Sequence, residues 1–176
     1  GVGQVGKYLI EYLVKEGAIV LVTDIFEDKL KAVAKATGAQ VVDPNVIYDL
    51  EMDIYSPCAL GATINDQTID RLKCAVIAGG ANNQLKDEAK HGQILVEKGI
   101  VYAPDFLINA GGVINVGAEY FGGYNRDTVY KQTEKIYDTC LGILNKSEEE
   151  NIPAQQAAIE TAKARIEAIG RVKLSF

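Results

Sequence analysis

Apolar side chains recur at helical spacing from Val5 to Lys15, where Val5, Leu9, Ile10 and Leu13 share one face and Gly17 closes the run. The apolar stretch Ile19–Thr23 that follows has the length of a strand. A second helical pattern covers Glu27–Thr37, with Leu30, Val33 and Ala34 inward and Gly38 as its stop, and Gln40–Val42 makes a short strand before Asp43-Pro44. The alternation continues with strand Met52–Ser56, ended by Pro57, and a short helix Asn65–Lys73 capped by Asn65 or Asp66. Strand Ala75–Ala78, helix Gln84–Lys98 stopped by Gly99, and strand Ile100–Ala103 complete it. Strands alternating with helices predict a parallel sheet covered by helices on both faces. From Val113 the pattern is purely helical, through Tyr120, then over Arg126–Glu150 and Pro153–Ile169.

In an open parallel sheet, ligands sit at the carboxyl ends of the strands. Here those ends are Gly1–Gly6, Asp24, Ser56–Cys58, Gly79–Asn83 and Pro104–Gly112, five polar or glycine-rich segments expected to converge on one rim. The first reads Gly1-Val2-Gly3-Gln4-Val5-Gly6, a GxGxxG pattern that opens a helix. Gly1 permits a tight turn, Gly3 lets backbone approach a pyrophosphate, and Gly6 lets the helix pack closely, while the helix start offers free N–H groups to phosphate. Asp24, at the tip of the next strand, stands 18 residues past Gly6 and is placed to accept the two ribose hydroxyls of an adenosine. The same carboxylate repels a 2′-phosphate, so NAD is expected rather than NADP. Gly1–Lys7 also fits the start of a phosphate loop, GxxxxGK, but Tyr8 stands where a Ser or Thr hydroxyl would hold Mg²⁺.

The expected fold class is therefore α/β, a Rossmann-type doubly wound, mostly parallel sheet with a helical C-terminal extension. Residues 1–125 are expected to form the NAD-binding domain and residues 126–176 a helical segment packing back toward a substrate domain. The strand that should precede the glycine turn is not in the sequence, and a central strand of four or five large apolar residues is worth about 10 kcal/mol. That is comparable with the 5–15 kcal/mol typical of a whole domain, so a longer polypeptide is expected.

The balance of 18 basic and 24 acidic residues, net −6, carries no basic stripe of the kind nucleic acid requires. Cys58, Cys74 and Cys140 form no CxxC pattern and are expected as small buried hydrophobes in a reducing, cytoplasmic compartment. No apolar run has the length of a membrane span, and no metal-ligand cluster stands out. His91, the only histidine, lies in the polar stretch Lys86–Gln93 and is expected on the surface.

Several rim residues have a plain structural reading beside the functional one. Asn82 and Asn83 either cap the following helix or offer amides to a carboxamide ligand. Asn109–Gly112 presents the same choice at another helix start. Asp105 reads as a turn former, Glu148–Glu150 as a solvated helix end, and Val113 and Val116, by spacing alone, as core. No nucleophile or acid–base arrangement is apparent, which leaves hydride chemistry carried by a cofactor.

Three longer segments, Ser56–Ala62 (SPCALGA), Ile77–Leu85 (IAGGANNQL) and Tyr102–Val116 (YAPDFLINAGGVINV), resemble the cofactor domain of the Glu/Leu/Phe/Val amino-acid dehydrogenases, their leucine-type members above all. Gly123–Arg126 and Asn151–Pro153 extend the resemblance toward the C-terminus. It implies oxidative deamination of an L-amino acid, with NAD⁺ taking the hydride and a 2-oxo acid and ammonia as products. It further implies that Gly1, Gly3, Gln4, Val5 and Gly6 meet the pyrophosphate and Asp24 the adenosine ribose. Cys58, Ala59 and Leu60 would line the cleft, Asn82 and Asn83 the nicotinamide end, and Val113 and Val116 the substrate side-chain pocket. The family's lysine pair and aspartate belong to an N-terminal substrate domain that does not match here, so no catalytic residue is expected in this chain. The resemblance also implies a homo-oligomer, octamer or dimer. Apolar valines disfavour glutamate, whose carboxylate they leave unpaired. Leucine against valine or phenylalanine stays open, since one methylene is worth only about 1–3 kcal/mol. A non-catalytic NAD-binding module is the alternative from another class.

Overall fold

The computed structural model describes residues 1–170. Elements follow the order α1 (Gln4–Lys15), β1 (Leu21–Val22), α2 (Glu27–Thr37), β2 (Gln40–Val41), β3 (Ile54–Tyr55), β4 (Val76–Ile77), α3 (Glu88–Glu97) and β5 (Val101–Tyr102). Four helices follow among the described residues: α4 (Asp105–Ile108), α5 (Gly111–Tyr120), α6 (Arg126–Glu150) and α7 (Ala154–Gly170). Every strand pairing is parallel, as the alternation predicts. β1 pairs with β2, Leu21 opposite Gln40, and β4 lies between β3 and β5, with Ile77 opposite Tyr55 and Tyr102. The result is a mixed α/β fold with two small parallel sheets. Each strand is shorter than its apolar run, and beyond the paired residues only single ladder bonds continue, such as Gln40 N–H to the Val20 carbonyl and Ala103 N–H to that of Ile77.

Three apolar clusters hold these layers. Val2, Ile10, Val22, Leu30 and Val33 join α1 and α2 to β1. Ile64, Ile77, Leu95, Ile100 and Tyr102 join α3 to the three-stranded sheet. Ile77 and Leu95 have no solvent exposure, and each such burial contributes about 1.5–3 kcal/mol. Ile143, Ala157 and Ala158 close α6 on α7. Helix α6 starts where Asn125 accepts the Thr128 amide and ends at Asn151, which takes the left-handed conformation at φ 51°. α7 is latched to α3 by Gln155, whose Nε2 donates to the Glu88 carbonyl and lies against Gly92, where a side chain would collide with it. Residues 171–176 of the expected C-terminal segment lie outside the described residues.

Four expectations about local structure and burial are corrected. The stretch Asn65–Lys73 forms one 3₁₀ turn, Ile69–Arg71, because Asn65 and Thr68 bond locally. The Asn65 side chain accepts from the Gln67 amide, and the Thr68 hydroxyl donates to the Thr63 carbonyl, which competes with helix propagation. Helix α3 begins at Glu88, not Gln84, because Asp87 caps it by accepting the Lys90 amide. His91 is buried, 1 % exposed. Its Nδ1 accepts from the Asp87 amide and its Nε2 meets Asp66 Oδ1 at 3.0 Å, so its polar neighbours in sequence occupy the outer face while the ring faces in. Of the cysteines, all free, only Cys74 is buried; Cys58 and Cys140 are half-buried.

Candidate dinucleotide site

The site is built at the carboxyl tips of the strands. Gly1–Gly3 lead straight into α1, whose N-cap is Gly3, so the first turn has no side-chain cap. That leaves its amides facing outward, where Gly3, Gln4 and Val5 are exposed. Gly6 is buried on the inner side. A Cβ there would run into the Gly1 carbonyl and come within 3.3 Å of Cys58 Cβ, so only glycine allows the turn to fold against the helix. Gly1 in turn presses on the Cys58–Ala59 backbone, where an added Cβ would stand 2.6 Å from the Cys58 carbonyl oxygen.

Asp24 follows β1 and points to this turn. Its Oδ2 accepts the Val2 amide at 2.6 Å and its Oδ1 the Phe26 amide at 2.9 Å. Burial raises the pKa of this carboxyl, the hydrogen bonds from the Val2 and Phe26 amides lower it, and on balance it lies below its usual value. The acid is thus ionised at neutral pH, and each oxygen keeps a lone pair for a further donor.

Contacts carry the rim on from Asp24. Past Val2 and Gly1 it reaches Cys58, whose Sγ lies 3.5 Å from the Gly80 amide, while Val5 of α1 packs against Gly80. Ala59 and Leu60 are exposed beside it, Leu60 by 91 %. Asn82 and Asn83 stand exposed on the loop after β4, and Asn109 Nδ2 donates to Asn82 Oδ1. Since Asp87 caps α3, the capping reading of the two asparagines falls. Asp105 is buried rather than a surface turn former, and its Oδ2 accepts the Gln84 amide at 2.8 Å. Val113 and Val116 are 77 % and 62 % exposed on α5, so the core reading of that pair falls as well.

Two residues at this rim escaped the sequence reading. Gln84 is completely buried and its Nε2 donates to the Gly79 and Ala81 carbonyls at 2.7 and 2.9 Å. Its signal was the tight Gly79–Gly80 turn, whose carbonyls need donors that no helix supplies. Asp105 was visible only as a loop acid. Two open hollows lie off the row of strand tips: one of about 500 Å³ is lined by Glu51, Met52, Asp53 and Lys73 at the opposite ends of β3 and β4, and one of about 440 Å³, between α5 and α6, includes Val113 but not Val116. Among the described residues no group of His, Cys, Asp or Glu could hold a metal, and no helix is long and apolar enough to cross a membrane. Burial pushes the Cys74 and Cys140 thiols up, away from the reactive thiolate.

A family profile described as Glutamate/Leucine/Phenylalanine/Valine dehydrogenase matches residues 19–172. The chain belongs to this family. It is 51 % identical, over all of its 176 residues, to leucine dehydrogenase of Thermoactinomyces intermedius, and 50 % identical to that of Bacillus cereus, in each case covering 48 % of the relative. The crystal structure of L-tryptophan dehydrogenase from Nostoc punctiforme superposes with a TM-score of 0.92 at 43 % identity, over 96 % of this chain and 51 % of that one. The chain thus spans about half the length of the curated relatives it matches.

Proposed function

We propose that the rim binds NAD and that the chain is the cofactor-binding part of a leucine-type L-amino acid dehydrogenase, which deaminates a branched-chain amino acid oxidatively to a 2-oxo acid and ammonia. The observation that carries this is Asp24, an ionised carboxylate held by two backbone amides beside a helix start without a side-chain cap. An anionic acceptor there suits the two hydroxyls of an adenosine ribose and opposes a 2′-phosphate. The residues fit the dinucleotide, because Asp24 retains free lone pairs and the exposed Gly3 leaves the helix start open. When bound, NAD⁺ supplies the hydride acceptor.

The chain's own residues bind and orient. Gly1, Gly3, Gln4, Val5 and Gly6 receive the pyrophosphate, Cys58, Ala59 and Leu60 floor the cleft, and Asn82 and Asn83 offer amides to the nicotinamide carboxamide and its ribose. Val113 and Val116 give an apolar wall that favours an aliphatic side chain over a carboxylate. On this proposal β2–β1 and β3–β4–β5 are halves of one doubly wound sheet, with a strand preceding Gly1 between β1 and β3. Residues 1–125 then form the NAD domain, residues 126–176 return toward the substrate half that holds the acid–base groups, and the whole protein works in the cytoplasm as a homo-oligomer.

The test is turnover by the full natural protein, followed through NADH absorbance. L-Leucine with NAD is expected to support it, while L-glutamate supports little and NADP serves poorly. Turnover with glutamate in preference to leucine, or with NADP in preference to NAD, refutes the proposal.

A further inference from the structure

The loop Gly79–Asn83 displays two exposed asparagines to the rim, yet it belongs to no helix or strand that could fix its shape. What fixes it lies underneath. Gln84 sits fully buried with both Nε2 hydrogens spent on the loop's own carbonyls, those of Gly79 and Ala81. Its Oε1 is buried without a partner, so the side chain is there for its donors. Its backbone amide is held in turn by Asp105, a buried carboxylate that begins α4. The loop is further tied by the Ala81 amide to the Pro57 carbonyl, and Asn83 is set in the left-handed conformation at φ 52°. The loop is thereby held by Gln84, by the Pro57 carbonyl and, at the Asn83 carbonyl, by the Ala62 amide, and Asn82 and Asn83 stand exposed.

We propose that Gln84, held by Asp105, is the positioning residue for the nicotinamide half of the site: it fixes the loop so that Asn82 and Asn83 meet the carboxamide ring, and takes no part in holding the adenosine half. This rests on the reading of the rim as an NAD site. The direction follows from the order of the tips. Asp24 follows β1, whereas the Gly79–Asn83 loop follows β4; it touches the glycine helix at Gly80, which packs against Val5, while Asn82 lies past that contact and accepts from Asn109. Loss of the two Nε2 donors should therefore loosen one end of the ligand only. A carboxylate at this position would set oxygen against two carbonyl oxygens, the sharpest form of the same loss.

The decisive measurement compares NAD with ADP-ribose, which lacks the nicotinamide ring, by calorimetric titration of the full natural protein. Gln84→Met and Gln84→Glu are each expected to weaken NAD by about tenfold or more while ADP-ribose stays within about twofold of wild type. Asp105→Ala should repeat that selective loss and Asp105→Asn, which keeps an acceptor for the Gln84 amide, should largely restore NAD binding. The Asp105 pair decides the matter if neither Gln84 variant folds. Equal losses for both ligands, or no loss for NAD, overturn the proposal. Wild-type protein that binds neither ligand removes the NAD reading itself, and the proposal with it, a result distinct from all the others.

Discussion

Replacing Asp24 by Asn removes one charge while keeping the shape, and the structure fixes what that costs. The carboxylate now accepts two backbone amides, Val2 at 2.6 Å and Phe26 at 2.9 Å. An Asn can accept at only one of the two positions and turns an NH₂ group toward the other N–H. Hydrogen bonds to a charged group are worth about 1.5–3 kcal/mol, and half-burial puts this one at the lower end, so a stability loss of about 1–2 kcal/mol is expected. On the ligand side the ribose diol loses its anionic acceptor, which translates into a fall in NAD affinity of about 10- to 100-fold. NADP affinity should hold or rise, because the group that repels its 2′-phosphate is gone. Titration of wild type and Asp24→Asn with NAD and NADP, alongside thermal unfolding, reads all three quantities. A variant that loses stability but keeps wild-type affinity and preference between the two cofactors would show that Asp24 only braces the glycine turn.

Other consequences concern stability. Gly92→Ala forces a methyl group into Gln155, expelling its amide from the Glu88 carbonyl. A loss of about 1–3 kcal/mol is expected in chemical denaturation, and adding Gln155→Ala should cost much less than its separate effect, whereas full additivity would mean the two residues do not collide. Leu95→Ala opens a cavity in the core between α3 and the three-stranded sheet, for a loss of about 2–5 kcal/mol in the same assay. Lys90 and then His91 hold the Asp66 carboxyl down to about 2. A group with a depressed folded pKa stabilises fully above its unfolded value, about 3.9, and that stabilisation fades as pH falls toward about 2. Asp66→Asn should therefore flatten the stability profile in that acid window.

Much of the fold was legible because period and punctuation agreed. The stops at Gly17, Gly38 and Gly99 all take positive φ, and the parallel strand order follows from βαβ alternation. The glycine turn and Asp24 were legible as neighbours because a short-range pattern encodes them, and the structure brings them into contact through the Val2 amide. The failures share a cause. Around residues 84–91 polar letters stand for specific hydrogen-bonding roles: buried Gln84 braces a loop from below, exposed Asp87 caps a helix, and buried His91 accepts from that cap's own amide. Hydropathy cannot distinguish a polar residue that is solvated from one that is satisfied inside, because the difference lies in partners distant in sequence, such as Asp66 and Asp105. The Asn65–Lys73 stretch failed for the related reason that Asn and Thr bond locally in place of a helix ladder.

The interior position of His91 has a practical outcome. With a single imidazole per chain, and that one shielded from solvent, acylating reagents aimed at histidine find no accessible target among the described residues. The Asp87 amide requires a lone pair at Nδ1, so the neutral ring carries its proton on Nε2 toward Asp66. The imidazole signal of His91 in a nuclear resonance spectrum then monitors the docking of α3.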